Sequence, residues 1–211
     1  MPQAILIMSI IWLAVLSPGA DFAMVSRSVC LHGRQAGLLV SLGIATSCWF
    51  HVGYAIFGLA LIQHLVPQAL TFVRLAGAAY LIYMGVSSVL GRRALPEETT
   101  NLPSRTGVRV VLSGVLTNGL NPKTSVFVVS LYSQVIGPHT PLHQQLAWGA
   151  FISLSHFAWF ALVSVYLSRP TIRAFVLRRQ RVFTFGIGVV LTCFGLLLLG
   201  FNPASPMVHG L

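Results

Sequence analysis

Leu16-Ser17-Pro18-Gly19-Ala20-Asp21-Phe22 interrupts an otherwise apolar run near the start of the chain. Proline removes a backbone donor and collides with the preceding helical turn, and glycine loosens the backbone. A helix over residues 4–25 is therefore expected to break at Ser17-Pro18-Gly19, with a carboxylate, Asp21, just beyond the break. A second stretch repeats the pattern. Asn118-Gly119-Leu120-Asn121-Pro122-Lys123 lies inside the apolar run 109–136 and sets an ammonium directly after its proline. Each break falls in the middle part of its run.

Such a chain cannot clothe itself in a soluble surface. Of its 211 residues 55% are hydrophobic and 8% charged, with a mean hydropathy of +0.82, whereas a soluble domain carries roughly 25% charged residues. Lipid must cover much of it. Six apolar runs are legible, at 4–25, 38–62, 68–90, 109–136, 144–168 and 183–201, each close to the about 20 residues that cross a bilayer core. The N-terminus has no basic residue before Arg27, so its first run is expected to be a retained helix rather than a signal peptide. Cys30, Cys48 and Cys193 form no CxxC pair and no disulfide framework, and are read as small packing residues.

The net charge of +10 does not point to nucleic acid, because all but Arg74 and Lys123 of the basic residues sit at or between the ends of apolar runs. Arg27 and Arg34 occupy the first gap. Arg92, Arg93, Arg105 and Arg109 occupy the third, with Glu97 and Glu98. Arg169, Arg173, Arg178, Arg179 and Arg181 occupy the fifth. The second gap (63–67), the fourth (137–143) and both tails have no Lys or Arg. The positive-inside rule then places gaps one, three and five in the cytoplasm and both termini on the outer side of the membrane.

The third gap, about 92–107, contains Pro96 and Pro103 and reads as a linker inside a single 1–211 transmembrane domain. It joins a repeat at about 1–91 to a repeat at about 108–201. With three helices per half, the first helix of each repeat enters from opposite sides, which makes an inverted-topology repeat. The expected fold is an all-α polytopic membrane protein of six transmembrane helices, two inverted three-helix repeats, with helices 1 and 4 broken. Weak echoes agree: Ser47-Cys48-Trp49-Phe50-His51 against Ser153-Leu154-Ser155-His156, and Gly77 and Gly85 against Gly188 and Gly195. Glycine-rich faces of this kind would also allow a homodimer.

Backbone freed at mid-bilayer is tolerated only inside protein or beside a watery cavity. Matched breaks in two halves are the sequence signature of a transporter site, although a single proline kink can serve packing alone. Asp21 is the only acid outside the linker and Lys123 the only lysine in the chain. A charge at a membrane helix centre costs roughly 2.5–3.5 kcal/mol, so the two are expected to face each other in a polar interior. Asp21 has an alternative as a solvated cap near the cytoplasmic interface. Ser17, Gly19, Asn118 and Asn121 join the candidate substrate or proton site. The two asparagines have a second reading, as partners for broken backbone. His51 and His156 are candidate proton carriers, or else bonds between neighbouring helices. No zinc-ligand spacing, Walker A loop or nucleophile elbow is present. No metal, cofactor or enzymatic activity is therefore expected.

At these residues the sequence resembles the LysE/RhtB superfamily of bacterial amino-acid exporters. Residues 16–22 are similar to its Ser-Pro-Gly-Pro-(Asn/Asp) signature, with Ala20 in place of the second proline. Gly33-Arg34-Gln35-Ala36-Gly37-Leu38 follows, continuing through Leu42-Gly43-Ile44-Ala45-Thr46 to His51, with Ser47 where glycine is usual. Leu75 to Gly85 resembles the third helix, and Asn118 to Lys123 the Asn-Pro-Lys element. The resemblance implies proton-driven efflux of amino acids or derivatives. Threonine, homoserine, homoserine lactone, lysine, arginine, cysteine and leucine are substrates of various members, and nothing in this sequence selects among them.

The mechanism expected is alternating access around the two breaks. Helix N-termini and Lys123 suit a carboxylate, Asp21 and freed carbonyls suit an ammonium, and a proton competes at Asp21. A passive channel or membrane receptor is the rival reading, distinguished by the absence of exchange acceleration and proton coupling. A thiol redox enzyme would need a cysteine pair on helices one and four, and neither run contains cysteine.

Overall fold

The computed structural model describes residues 2–65, 69–90, 107–133 and 140–200. Most of the linker expected at about 92–107, with Glu97 and Glu98, lies outside them, as do parts of the second and fourth gaps and the tail from 201. Among the described residues the protein is all helical: α1 (Pro2–Leu16), α2 (Ala20–Leu65), α3 (Ala69–Val89), α4 (Gly107–Gly119), α5 (Pro122–Leu131), α6 (Leu142–Leu167) and α7 (Pro170–Gly200). Both proline breaks are present. α1 stops at Leu16 and α2 begins at Ala20, while α4 stops at Gly119 and α5 begins at Pro122.

Two expected gaps are not loops. The first, between runs 4–25 and 38–62, is helical on both sides of one residue, Gly33, whose φ of 80° and ψ of −177° lie outside the helical range. Only glycine takes that backbone at little cost, so the chain turns back on itself within α2. Val25 and Val29, before the turn, pack with Val40 and Ile44 after it. A Cβ on Gly37 would strike the Val29 side chain, so the returning arm needs glycine there. The fifth gap is also helix: α7 starts at Pro170, well before the expected 183. Proline suits the first helical position and arginine is a good helix former, so a charged segment extends the helix instead of interrupting it.

By length and composition two helices can cross a membrane, Ala20–Ile62 and Leu142–Leu167, and Ile7–Leu16 and Thr71–Ser87 are shorter apolar helices. The outer surface is consistent with lipid. Phe57, Phe72 and Leu120 are 75%, 72% and 80% exposed, far more large apolar side chain than a water-facing surface carries.

Glycines set the closest helix contacts. A Cβ on Gly43 would meet the Val111 carbonyl, and one on Gly114 the Val40 carbonyl, so α2 and α4 touch backbone to backbone. Gly85 meets Gly188 and Thr192, and Gly195 meets Ala78 and Ile82, which joins α3 to α7. Those glycine faces are therefore used within the chain.

The core has two apolar clusters. One gathers Ile7, Ile11 and Val15 of α1 with Val52, Val128, Ile152 and Leu191. The other gathers Phe22, Val25 and Val29 with Val40, Ile44, Phe160 and Val163. Polar residues fall between the two clusters: Ser17 to Asp21 from the end of α1 to the start of α2, Ser47 in α2, and Ser155-His156 in α6. The breaks lie in that polar layer.

Candidate functional site

The end of α4 and the start of α5 are built by one asparagine. Asn121 is extended (φ −77°, ψ 108°), and its Oδ1 accepts the Lys123 N–H at 3.0 Å, with Pro122 at the first helical position. This is an ordinary N-cap, in which a side-chain oxygen replaces the carbonyl the break removed. At the other break Asp21 sits in the first turn of α2, where the helix dipole favours a carboxylate.

The two breaks are bonded crosswise. Asn118 and Asn121 each donate an amide N–H to Asp21 Oδ2, at 2.9 and 3.2 Å. In return Lys123 Nζ donates to the Ser17 carbonyl. Each half thus supplies the polar partner for the other half's break. An ammonium against the C-terminal carbonyls of α1 and a carboxylate at the N-terminus of α2 both match their dipoles. The groups are buried: Asn118 is 0%, Asp21 7% and Lys123 8% exposed. Asp21 Oδ1 is buried without a hydrogen-bond partner among the described residues.

Asp21, Lys123, Asn121, Ser17, Gly19 and His156 line one pocket. Its cavity volume is about 20 Å³, room for about one water, so a larger ligand enters only when the walls part. A Cβ on Gly19 would lie 3.4 Å from Lys123 Cδ, so the lysine stem lies along this glycine. Thr124, Phe127 and Phe160 complete the walls with Ala14 and Val15. The sequence did not mark these five. Thr124 had one available signal, its place in the turn after Pro122, and it accepts a bond from Asn118 Nδ2 at 3.1 Å.

The two histidines part company. His156 lines the pocket, and its Nδ1 lies 2.8 Å from the Ile152 carbonyl of its own helix. A carbonyl only accepts, so Nδ1 carries the proton. His51 is fully buried but not in the pocket wall. Its Nε2 lies 3.0 Å from the Asn118 carbonyl, which fixes the proton on Nε2 by the same argument. Nδ1 is 2.6 Å from the Tyr54 hydroxyl and 3.4 Å from Ser125 Oγ. Asn118 is likewise outside the wall and reaches the pocket through Asp21. Among the described residues no three His, Cys, Asp or Glu side chains group as a metal site.

The two sequence departures have clear surroundings. Ala20 is exposed at the start of α2, and Ser47 Oγ lies where a Cβ on Gly119 would come within 2.9 Å.

A family model described as LysE type translocator matches residues 12–200. The chain is 30% identical to the uncharacterised membrane protein YahN of Escherichia coli K12 over 185 residues, 87% of this chain and 82% of that one. It is 31% identical to the threonine efflux protein of the same organism over 168 residues, 76% of this chain and 79% of that one. A membrane protein of Bacillus subtilis, YrhP, is 29% identical over 191 residues, 86% and 91% of the two chains. No solved structure matches.

Proposed function

The chain belongs to the LysE type translocator family, and on that premise we propose that it is a secondary active exporter of amino acids or their derivatives. It works in the bacterial inner membrane by proton antiport and alternating access. The observation that carries the reading is the crosswise bonding of two helix breaks around one buried carboxylate and one buried ammonium.

An amino acid presents the opposite charges to those of this pocket. Its ammonium goes to Asp21 Oδ1, the oxygen that the asparagines leave without a hydrogen bond. Its carboxylate goes to Lys123 and the N-terminal turn of α5. To take the carboxylate, Lys123 gives up the Ser17 carbonyl, so binding loosens a bond between the two halves. A proton on Asp21 removes the charge that holds the ammonium, so proton and substrate exclude one another, which is the requirement for antiport. The threonine efflux relative supports an amino acid as cargo.

In this reading the chain spans the membrane six times as two inverted three-helix repeats, at about 1–91 and 108–201. The Gly33 turn and the arginine-rich start of α7 lie toward the cytoplasm, and both termini face the periplasm. The homodimer suggested by glycine faces is not carried forward, because Gly85, Gly188 and Gly195 pack α3 on α7 and Gly77 packs on Ser130 of α5.

The test is uptake of a panel of labelled amino acids into inverted membrane vesicles, with and without a pH gradient. Accumulation of at least one amino acid that collapses with the gradient is expected. Equilibration without accumulation, insensitive to the gradient, would indicate a channel.

A further inference from the structure

Proline does more than break each helix here; it withholds the regular helical donor from one particular carbonyl. In an α-helix the carbonyl of residue i accepts from the N–H of residue i+4, and proline has no N–H. Pro122 therefore denies the Asn118 carbonyl its helical donor, and Pro18 does the same to the Ala14 carbonyl. In this structure the Asn118 carbonyl accepts the Asn121 N–H of the tightened last turn at 2.9 Å and, as a second donor, the His51 Nε2 proton at 3.0 Å, from a side chain in the other half of the molecule.

The second half has the matching parts. His51 follows Pro18 by 33 residues, and His156 follows Pro122 by 34. Both are buried. His156 and Ala14 line the same pocket, yet the His156 Nδ1 proton is directed at Ile152 of its own helix. One histidine bridges to the opposite break, and its counterpart does not.

An inverted repeat gives this asymmetry a meaning. When two halves are related by a pseudo-twofold axis, the arrangement of one half in one state is the arrangement of the other half in the opposite state. We propose that His51 and His156 are a matched pair of positioning residues that trade places during transport. In the conformation seen here His51 holds the α4 end through the Asn118 carbonyl. In the opposite conformation His51 lets go, and His156 turns an imidazole N–H to the Ala14 carbonyl to hold the α1 end. Neither histidine needs to touch substrate for this. Each ties a carbonyl beside a proline break to the other half, at one end of the cycle only. The proposal rests on the inverted-repeat reading and goes beyond it by naming the groups that alternate.

The test reads conformation without transport. Cys30, Cys48 and Cys193 are replaced by serine, and Val15→Cys provides one thiol in the pocket wall. A membrane-impermeant maleimide is applied to right-side-out and to inverted vesicles, and the ratio of the two labelling rates is measured. His51→Phe is expected to move the ratio several-fold in one direction, and His156→Phe several-fold in the other. His51→Gln and His156→Gln keep an N–H at similar reach and should restore the parent ratio, which separates positioning from misfolding. Shifts in the same direction, or none, with the protein still in the membrane, would overturn the proposal. Amino-acid export measured on the same vesicles keeps the two claims apart. Opposed shifts without export of any amino acid support the pair and remove the substrate reading, whereas export without opposed shifts overturns the pair alone.

Discussion

Asn118 Nδ2 lies 2.9 Å from Asp21 Oδ2, although 97 positions of chain separate the two residues. The donor sits in the last turn of α4 and the acceptor in the first turn of α2. The bond therefore ties one helix break to the other, and it also orients the carboxylate. Oδ2 is held by two amides, and Oδ1 is left to whatever enters the pocket.

Asp21→Asn keeps an oxygen for the two asparagine amides but removes the charge. The protein should reach the membrane in normal amount, while proton-coupled export falls to a tenth or less. A charge-assisted hydrogen bond is worth about 1.5–3 kcal/mol, or at least about tenfold in affinity. Initial export rates normalised to the protein in the membrane check this.

Lys123→Met should weaken binding of the exported amino acid by about tenfold or more, on the same arithmetic. Lys123→Arg should not restore it, because the stem runs along Gly19 and a planar guanidinium has a different shape and reach. Gly19→Ala adds a methyl at ordinary contact distance from the lysine, 3.4 Å from Cδ, and should cost less than about threefold. Titration of labelled substrate against the purified variants distinguishes the three.

Asn118→Ala removes a fully buried amide and one of the two donors to Asp21. Leaving a buried polar group short of a partner costs about 1–3 kcal/mol. A lower midpoint of thermal unfolding in detergent is expected, larger than that for Ser9→Ala, whose hydroxyl bonds only its own helix at the surface.

How much of this was legible beforehand depends on the kind of signal. Pro18 and Pro122 act through a missing N–H, which holds in any surroundings, so both breaks were readable. So were the buried charges, because Asp21 and Lys123 have few rivals in so apolar a chain. The turn at Gly33 was not. Arg27, Ser28, His32, Arg34 and Gln35 look like a loop by composition, but each tolerates helix, and only Gly33 departs from it. The start of α7 misled for the same reason. The pocket walls were hidden differently. Phe127 and Phe160 belong to helices apolar on most sides, so nothing in their spacing marks the face that meets the break. Tyr54 meets His51 within α2, whereas the approach of Ser125 to His51 depends on how α2 packs on α5.

Backbone contact between α2 and α4 gives a prediction independent of transport. Gly43→Ala or Gly114→Ala would drive a methyl into the opposing carbonyl, of Val111 or Val40. Overpacking of this kind costs about 1–3 kcal/mol, and thermal unfolding should show it. Gly53→Ala is the control: a Cβ there meets nothing within 4 Å, and its unfolding midpoint should not fall.

Counterflow in proteoliposomes tests the exchange site most directly. Vesicles loaded with an unlabelled amino acid that the protein exports are diluted into a trace of the labelled one. The wild type should accumulate label transiently above the outside concentration, and Asp21→Asn should not. Equal overshoot in both proteins would contradict the role given to Asp21, and no overshoot in the wild type, with label merely equilibrating, would contradict the carrier itself.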